Sequence, residues 1–357
     1  MRRLRAAEPS TARTSESLPT VSVVVPCYNY GRYLPYAVRS ALDQPGVDVE
    51  VIVVDDASTD GSAEVAESLA AEDDRVVVVR HRVNLRHIAT YNDGLFRARG
   101  TYVVLLSADD MLSEGSLARS VALFEAWPGL ALVYGGVVTF TDRPPMPATA
   151  VRNWSVFDGA EWIARLCMRG SNLIVNPEAV MRTSVLRELG GYDASFPQAA
   201  DMLLWMRAAT RGGVGRVNGP DQAFYRVHGE NMHLTDFGGH LLTEARERRA
   251  VFERFFETDG RCLHRADALR DRALHSIGRD ALRSAALVGH TDGGSTIESQ
   301  RLVDFALECA PTLRRRHEGK ARRRSAGHVA RLDHAVAVAA HRVRWSLRWR
   351  RWRRYGT

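Results

Sequence analysis

Apolar and polar positions alternate along the chain in blocks of strand and helix character. Val21–Pro26 is an unbroken β-branched run, the pattern of a strand buried on both faces. Tyr33–Leu42 switches to helical spacing, with Leu34, Val38, Ala41 and Leu42 on one side. Glu50–Val54 predicts a second buried strand, Ser62–Ala71 a helix, Arg75–Val79 a third strand, and Ile88–Arg99 a helix capped by Gly100. Thr101–Leu106 predicts a fourth strand, Glu114–Ala126 a helix stopped by Pro128, and Leu130–Tyr134 a fifth strand. Strand–helix–strand at this spacing needs crossover connections, hence a mainly parallel sheet with helices on both faces.

Beyond residue 140 the pattern loosens. Pro144, Pro145 and Pro147 mark a loop, and helices are predicted over Phe157–Met168, Ala179–Leu189 (closed by Gly190–Gly191) and Ala200–Thr210. A strand follows at Gln222–Val227, and residues 240–310 read as helical. Residues 1–18 are aperiodic and Ser/Thr/Arg/Glu-rich, a lead-in expected to lack order. The reading is therefore a lead-in at 1–18, an α/β domain at 19–238, a helical extension at 239–310 and a basic tail at 311–357. No internal repeat is evident.

Composition adds boundaries. With 357 residues, 45% apolar and 25% charged, the chain suits a globular protein and not a collagenous, mucin-like or wholly disordered one. No run reaches the roughly 18 apolar residues of a membrane span, and the Arg-containing start lacks the apolar core of a secretory signal. Cys27, Cys167, Cys262 and Cys309 are far apart without CxxC pairing, so they read as reduced thiols of a cytoplasmic protein. The net charge of +7 is uneven: residues 311–357 carry +13, and the other 310 residues −6. Lys320 is the only lysine, a bias attributable to a GC-rich genome.

In open sheets of this kind, ligands bind beyond the carboxyl ends of the strands, and four segments with chemical potential are expected there. VIVVDDASTDGS sets Asp55 and Asp56 after a strand. Ser58 or Asp60 can be explained as caps of the next helix, which leaves those two carboxylates to bind a ribose or base edge. There is no GxGxxG and no GxxxxGK[ST]. VVLLSADDML places Asp109 and Asp110 side by side, costly unless a cation stands between them and a polyanion; the alternative is a solvated Asp–Asp turn. In PQAADMLLWMRAA, Asp201 opens a helix, as an N-cap or as a general base. In DQAFYRVHGEN, Arg226 could clamp phosphate and His228 could ligate a metal, or both could be structural.

Together, VSVVVPCYNYGRYLPYAVRSALDQ, VIVVDDASTDGS, NLRHIATYNDGLFRARGTYVVLLSADD, ADMLLWMRAA and FYRVHGENM resemble, in order, the inverting family 2 glycosyltransferases with the A-type nucleotide-sugar-binding fold. The resemblance runs from Val21 to Met232. It implies that Pro26, Tyr28 and Asn29 border the nucleotide, that Asp55 binds base or ribose with Asp56 beside it, and that Asn92 joins the donor-binding set. It further implies that Asp109 and Asp110 bind Mg²⁺ or Mn²⁺, that Asp201 is the acceptor-activating base, and that His228 meets the metal or diphosphate.

Ser107 departs from the pattern, since many members carry a carboxylate there; its hydroxyl could bind a sugar or ribose hydroxyl. The QxxRW signature of processive synthases is absent, which points to one sugar per encounter. The expected activity is inverting, non-processive transfer from a nucleotide-diphosphate sugar to a hydroxyl acceptor, a glycan or lipid-linked saccharide, in cell-surface polysaccharide or glycolipid assembly. The rivals are a catalytically silent nucleotide-sugar-binding or scaffold protein docked by its tail, which Ser107 favours, and a nucleotidyltransferase, for which PCYNYGRY is a poor phosphate loop.

In the tail, Val338, Trp345, Trp349 and Trp352 fall on one helical stripe among arginines within 328–355. That pattern suits an interfacial helix on an anionic membrane, with packing on the protein body as the alternative. No recognised RNA-binding motif accompanies it, so nucleic acid is not the expected partner.

Overall fold

The computed structural model describes residues 2–5, 17–231, 241–288 and 296–314. The chain divides into two compact units, Met1–Trp162 with Leu173–Asn231, and Ile163–Asn172 with Met232–Thr357. Residues 163–172, assigned from sequence to the 19–238 domain, thus cluster with the helical part. The tail stretch 328–355, with Trp345, Trp349 and Trp352, lies outside the described residues, as do residues 6–16 of the lead-in.

The first unit begins with strands β1 (Arg2–Arg5) and β2 (Thr20–Cys27), helix α1 (Leu34–Leu42), β3 (Asp48–Asp55), α2 (Ser62–Glu72) and β4 (Val76–Arg80). It continues with α3 (His87–Arg97), β5 (Tyr102–Leu105), β6 (Met111–Leu112), α4 (Ser116–Ala126), β7 (Leu130–Phe140) and β8 (Asn153–Phe157). Helix α5 (Gly159–Arg169) starts in this unit, followed by β9 (Val180–Arg182), α6 (Thr183–Leu189), α7 (Ala200–Ala209) and β10 (Gly213–Arg226).

These strands make one sheet in the order β1-β8-β10-β7-β9-β5-β2-β3-β4, with β6 paired to β10. Pairings β2–β3, β2–β5, β3–β4 and β7–β10 are parallel. Strand β9 is antiparallel to both β5 and β7, and β8 and β6 are antiparallel to β10. Because β9 reverses direction between two strands, β7 and β10 run the same way as β2, β3, β4 and β5. Six strands therefore deliver their carboxyl ends to one edge of a mixed, helix-flanked sheet.

The local chemistry explains where sequence and structure part. One short strand, β9, lies inside an expected helix, and β8 overlaps another by a single residue. Phe157 ends β8, which pairs with β10, and α5 starts after Asp158, whose carboxylate accepts the Ala160 and Glu161 amides at 2.9 and 3.4 Å. Val180–Arg182 pairs on both sides before the chain turns into α6, so tertiary pairing overrides the helical spacing read over 179–189. Helix α6 does close at Gly190, in the left-handed conformation (φ 75°). Arg2–Arg5, within the expected unordered lead-in, pairs with β8.

Gly100 is not a helix cap. Helix α3 ends at Arg97, and Gly100 lies where a Cβ would come within 2.7 Å of the Ser22 amide. Gly94 makes the closest approach of α3 to the sheet: a Cβ there would sit 2.4 Å from Val24 and 2.8 Å from Val54. The core beneath is aliphatic, with Val23, Val24, Val51, Val53 and Val54 all sealed from solvent.

The second unit comprises helices Leu241–Glu257, Ala266–Val288 and Thr296–Cys309 together with residues 163–172. Phe252, Phe255, Ile277 and Leu302 form its interior. Gly278 would place a Cβ 2.8 Å from the Ala306 carbonyl, so the helices Ala266–Val288 and Thr296–Cys309 pack backbone to backbone there. Ser276 Oγ donates to the Met168 carbonyl and Arg248 to that of Gly170. Among the described residues no helix is long and apolar enough to cross a membrane.

Gly94→Ala should reduce the free energy of unfolding, because forcing a methyl between Val24 and Val54 costs about 1–3 kcal/mol, more than the helix propensity it gains. Urea denaturation of the two proteins reads the difference directly.

Candidate functional site

The loop after β2 and the turn after β3 are stapled together. The Asn29 amide donates to Ser58 Oγ at 3.0 Å, and Asn29 Oδ1 accepts the Thr59 amide at 2.8 Å. Gly31 N–H donates to Asp60 Oδ2 at 3.2 Å. Asn29 (φ 58°) and Ala57 (φ 59°) both take left-handed backbone, which Asn tolerates and Ala adopts only under such constraint. Helix α2 is capped by Gly61, without a side-chain bond; Asp60 precedes the cap and accepts the Ser62 amide at 3.0 Å. Pro26 is half-buried and Tyr28 exposed beside this staple.

Asp55 and Asp56 are both buried but differently used. Asp55 Oδ2 accepts the Ser58 amide at 3.3 Å, while Oδ1 is buried without a partner among the described residues. Asp56 Oδ1 accepts the Leu85 amide and meets His81 Nδ1, both at 2.8 Å. His81 Nε2 lies 3.1 Å from Asp93 Oδ2, and Asp93 in turn accepts from Arg97. Asp56, expected in donor binding beside Asp55, ties the ends of β3 and β4 to α3 through this one oxygen, Oδ1. Burial works against a charged His81, yet hydrogen bonds to Asp56 and Asp93 outweigh it and raise its pKa above 6.5.

Asn92, expected in the donor-binding set, is held by the backbone. Its Nδ2 donates to the Tyr192 carbonyl at 2.9 Å and its Oδ1 accepts the Tyr192 amide at 2.8 Å. Both ends of its amide thus clasp the chain that leads to α7.

After β5, Asp109 Oδ2 lies 3.0 Å from His228 Nε2 and accepts from Asn231 Nδ2 at 3.2 Å. Asp110 is more deeply buried: Oδ1 accepts the Arg226 amide at 2.9 Å and Oδ2 has no partner among the described residues. Burial and then the Asp109 carboxylate push Asp110 well above the usual carboxylate range. Ser107 is half-buried next to them.

Arg226, a candidate phosphate clamp, is turned to the backbone. It is 6% exposed, and its guanidinium donates to the carbonyls of Asp109, Thr141 and Asp142 while lying 4.7 Å from the Tyr33 ring centre. The loop carrying His228 is fastened to the β2 loop. Tyr30 Oη donates to the Glu230 carbonyl at 2.8 Å, Arg32 pairs with Glu230, and the Tyr30 and Tyr33 rings lie 5.6 and 5.1 Å from His228. Asp201 sits in the first turn of α7 and is not its N-cap, which is Ala199; Asp201 Oδ1 accepts the Met202 amide at 2.6 Å.

The donor set of a metal can be tested against these residues. Asp109 and His228 present a carboxylate oxygen and an imidazole nitrogen within 3.0 Å of each other. Among the described residues no three His, Cys, Asp or Glu converge. Such a pair fits a divalent cation that takes one or two protein ligands and fills its shell from water and substrate phosphates.

Sequence reasoning assigned no role to His81, Tyr91 or Asn231. His81 follows β4 at the same edge as the chosen acids, and Asn231 closes the quoted HGEN run, so position supplied the signal for both.

A sheet whose six co-directional strands bring carboxylates to one edge is the A-type nucleotide-sugar-binding architecture. TarS from S. aureus shares the fold (TM-score 0.57, 18% identity, 82% of this chain and 49% of that one). So does the mannosyltransferase PcManGT of Pyrobaculum calidifontis, solved with GDP-Man and Mn²⁺ (TM-score 0.52, 20% identity, 86% and 83%). Residues 22–190, a little under half of the chain, match glycosyl transferase family 2. The Bacillus subtilis protein TuaG, named for teichuronic acid biosynthesis as a glycosyltransferase, is 37% identical over 103 residues, 29% of this chain and 41% of TuaG. Matches span 66% and 32% of the length of two further relatives.

His81 carries a pH signature. Its folded-state pKa lies above the ordinary 6.5, so its contribution to stability is complete below about pH 6.5 and is lost as pH rises through the raised value. The unfolding free energy of the wild type should therefore fall relative to that of His81→Phe across that window; urea titrations at a series of pH values measure it.

Proposed function

We propose that the protein is a non-processive, inverting glycosyltransferase that moves a sugar from a nucleotide-diphosphate donor to a hydroxyl acceptor. The observation that carries this reading is the arrangement at the carboxyl ends of the sheet: Asp55 with one buried unpartnered oxygen, Asp109 against His228, and Asp201 on a separate element. The family match and the nucleotide-sugar complexes among the fold relatives support it.

Asp55 would accept from the base or ribose, its free oxygen supplying the acceptor. Pro26, Tyr28 and Asn29 would border the nucleotide, and Ser107 would bond a ribose or sugar hydroxyl. Asp109 and His228 would hold Mg²⁺ or Mn²⁺, with Asn231 fixing the carboxylate and Asp110 anchoring the end of β10 beside them. A cation so held neutralises charge that develops on a departing diphosphate. Asp201 would take the proton of the incoming hydroxyl from the opposite side of the anomeric carbon, which gives direct displacement with inversion.

The acceptor we favour is a cell-surface glycan or lipid-linked saccharide, in keeping with the name of TuaG. The +13 tail with its Trp–Arg pattern supports work at an anionic membrane face on the cytoplasmic side. A catalytically silent binding protein would retain nucleotide affinity without turnover, and donor hydrolysis with Mn²⁺ separates the two.

Asp109→Asn should weaken Mn²⁺-supported binding of UDP or GDP, read by calorimetry with and without chelator; unchanged affinity in both conditions removes the metal assignment. Asp201→Asn should keep the wild-type melting temperature, because the residue does not cap its helix, while turnover falls roughly 10²–10⁴-fold. Near-normal turnover in that variant would move the base elsewhere.

A further inference from the structure

Tyr91 on α3 has no task in the function just proposed, yet the fold holds it firmly. Its ring lies 5.5 Å from that of His87 and 5.7 Å from that of Tyr192. Tyr192 in turn meets Trp205 at 6.3 Å, on the helix that carries Asp201. The Asn92 clasp on the Tyr192 backbone locks this stack to α3. The residue is 9% exposed, but among the described residues no group hydrogen-bonds its hydroxyl. The ring is buried while the hydroxyl oxygen itself stays accessible, so a ligand can meet it.

Burial, then Asp109, Asp201 and Asp110, all act on this hydroxyl and push its pKa above the ordinary tyrosine value. One phenol is thus in electrostatic reach of both the Asp109 side and the Asp201 side of the site. In the proposed reaction the leaving diphosphate belongs to the first side and the attacking oxygen to the second, so the transferred sugar must lie between them.

We propose that Tyr91 contacts the transferred sugar, its hydroxyl bonded to a sugar hydroxyl, and thereby takes part in selecting the donor. The proposal rests on the glycosyltransferase reading above. A neutral phenol is suited to this place. It can donate and accept, as a sugar hydroxyl does, and it brings no positive charge that would pair with the surrounding carboxylates and occupy them.

Tyr91→Phe tests it, because the ring stack survives and only one oxygen is removed. The full chain, with Mn²⁺, is titrated calorimetrically with UDP, GDP, UDP-glucose, UDP-GlcNAc and GDP-mannose. The variant should keep the wild-type melting temperature and its affinity for the bare diphosphates. It should lose about fivefold to tenfold in affinity for a nucleotide sugar that the wild type binds, the size of one hydrogen bond. Undiminished nucleotide-sugar affinity overturns the proposal, as does an equal loss for the bare diphosphate, which would put the contact at the nucleotide. A lowered melting temperature also overturns it, by giving the hydroxyl a structural role. Should the wild type bind none of the five probes, the glycosyltransferase reading itself falls, an outcome distinct from the other three.

Discussion

Repulsion among carboxylates is the constraint around which this site is built. Six strands of one direction end at a single sheet edge, and Asp55, Asp56, Asp109 and Asp110 stand there, all less than 10% exposed. Burying an ionised carboxylate without compensation is prohibitive, so each has acquired its own answer. Asp55 takes a turn amide, Asp56 an amide and the His81 ring, Asp109 the His228 ring and an asparagine, and Asp110 a strand amide. The differences among these answers divide structural acids from those available to a ligand. Asp56 uses one oxygen to hold two strand ends to α3, whereas Asp55 and Asp110 each keep one buried oxygen unbonded among the described residues.

The arginine that sequence inspection offers as a phosphate clamp shows the same economy. Arg226 gives its donors to three backbone carbonyls and packs beneath Tyr33. It keeps the ends of β7 and β10 and the Asp109 turn in register, which in turn fixes where His228 emerges. A planar guanidinium can serve several carbonyls at once in a way that a lysine ammonium cannot. The positive charge of this residue is consequently structural.

How much of this could be read from the chain depends on the range of the interaction concerned. The buried strands after residue 20 were legible because continuous β-branched runs have few other uses, and the strand-end acids because direction in a parallel sheet fixes their edge. Strand β9 was not legible: Val180–Arg182 is three residues long, and its only reason to extend is that β5 and β7 flank it. Asn92 lay in the right motif and was given a ligand, yet its partner is Tyr192, a hundred positions away, and no local pattern announces such a bond. Likewise Gly100 reads as a cap until the Ser22 backbone is seen pressed against it.

Helix α3 gathers these long-range links into four consecutive residues. Gly94 lets the helix descend onto Val24 and Val54. Asp93, about 100° around the helix, pairs with His81 and so with Asp56. Asn92 grips the backbone that leads to Asp201, and Tyr91 carries its ring into the stack shared with that segment. A shift of one residue in the seating of α3 would therefore disturb the turn after β3 and the Asp201 segment together. The close contact at Gly94 prevents that shift, since any side chain there would collide with β2 and β3. A glycine with no chemistry of its own thus sets the distance between the two halves of the proposed active site.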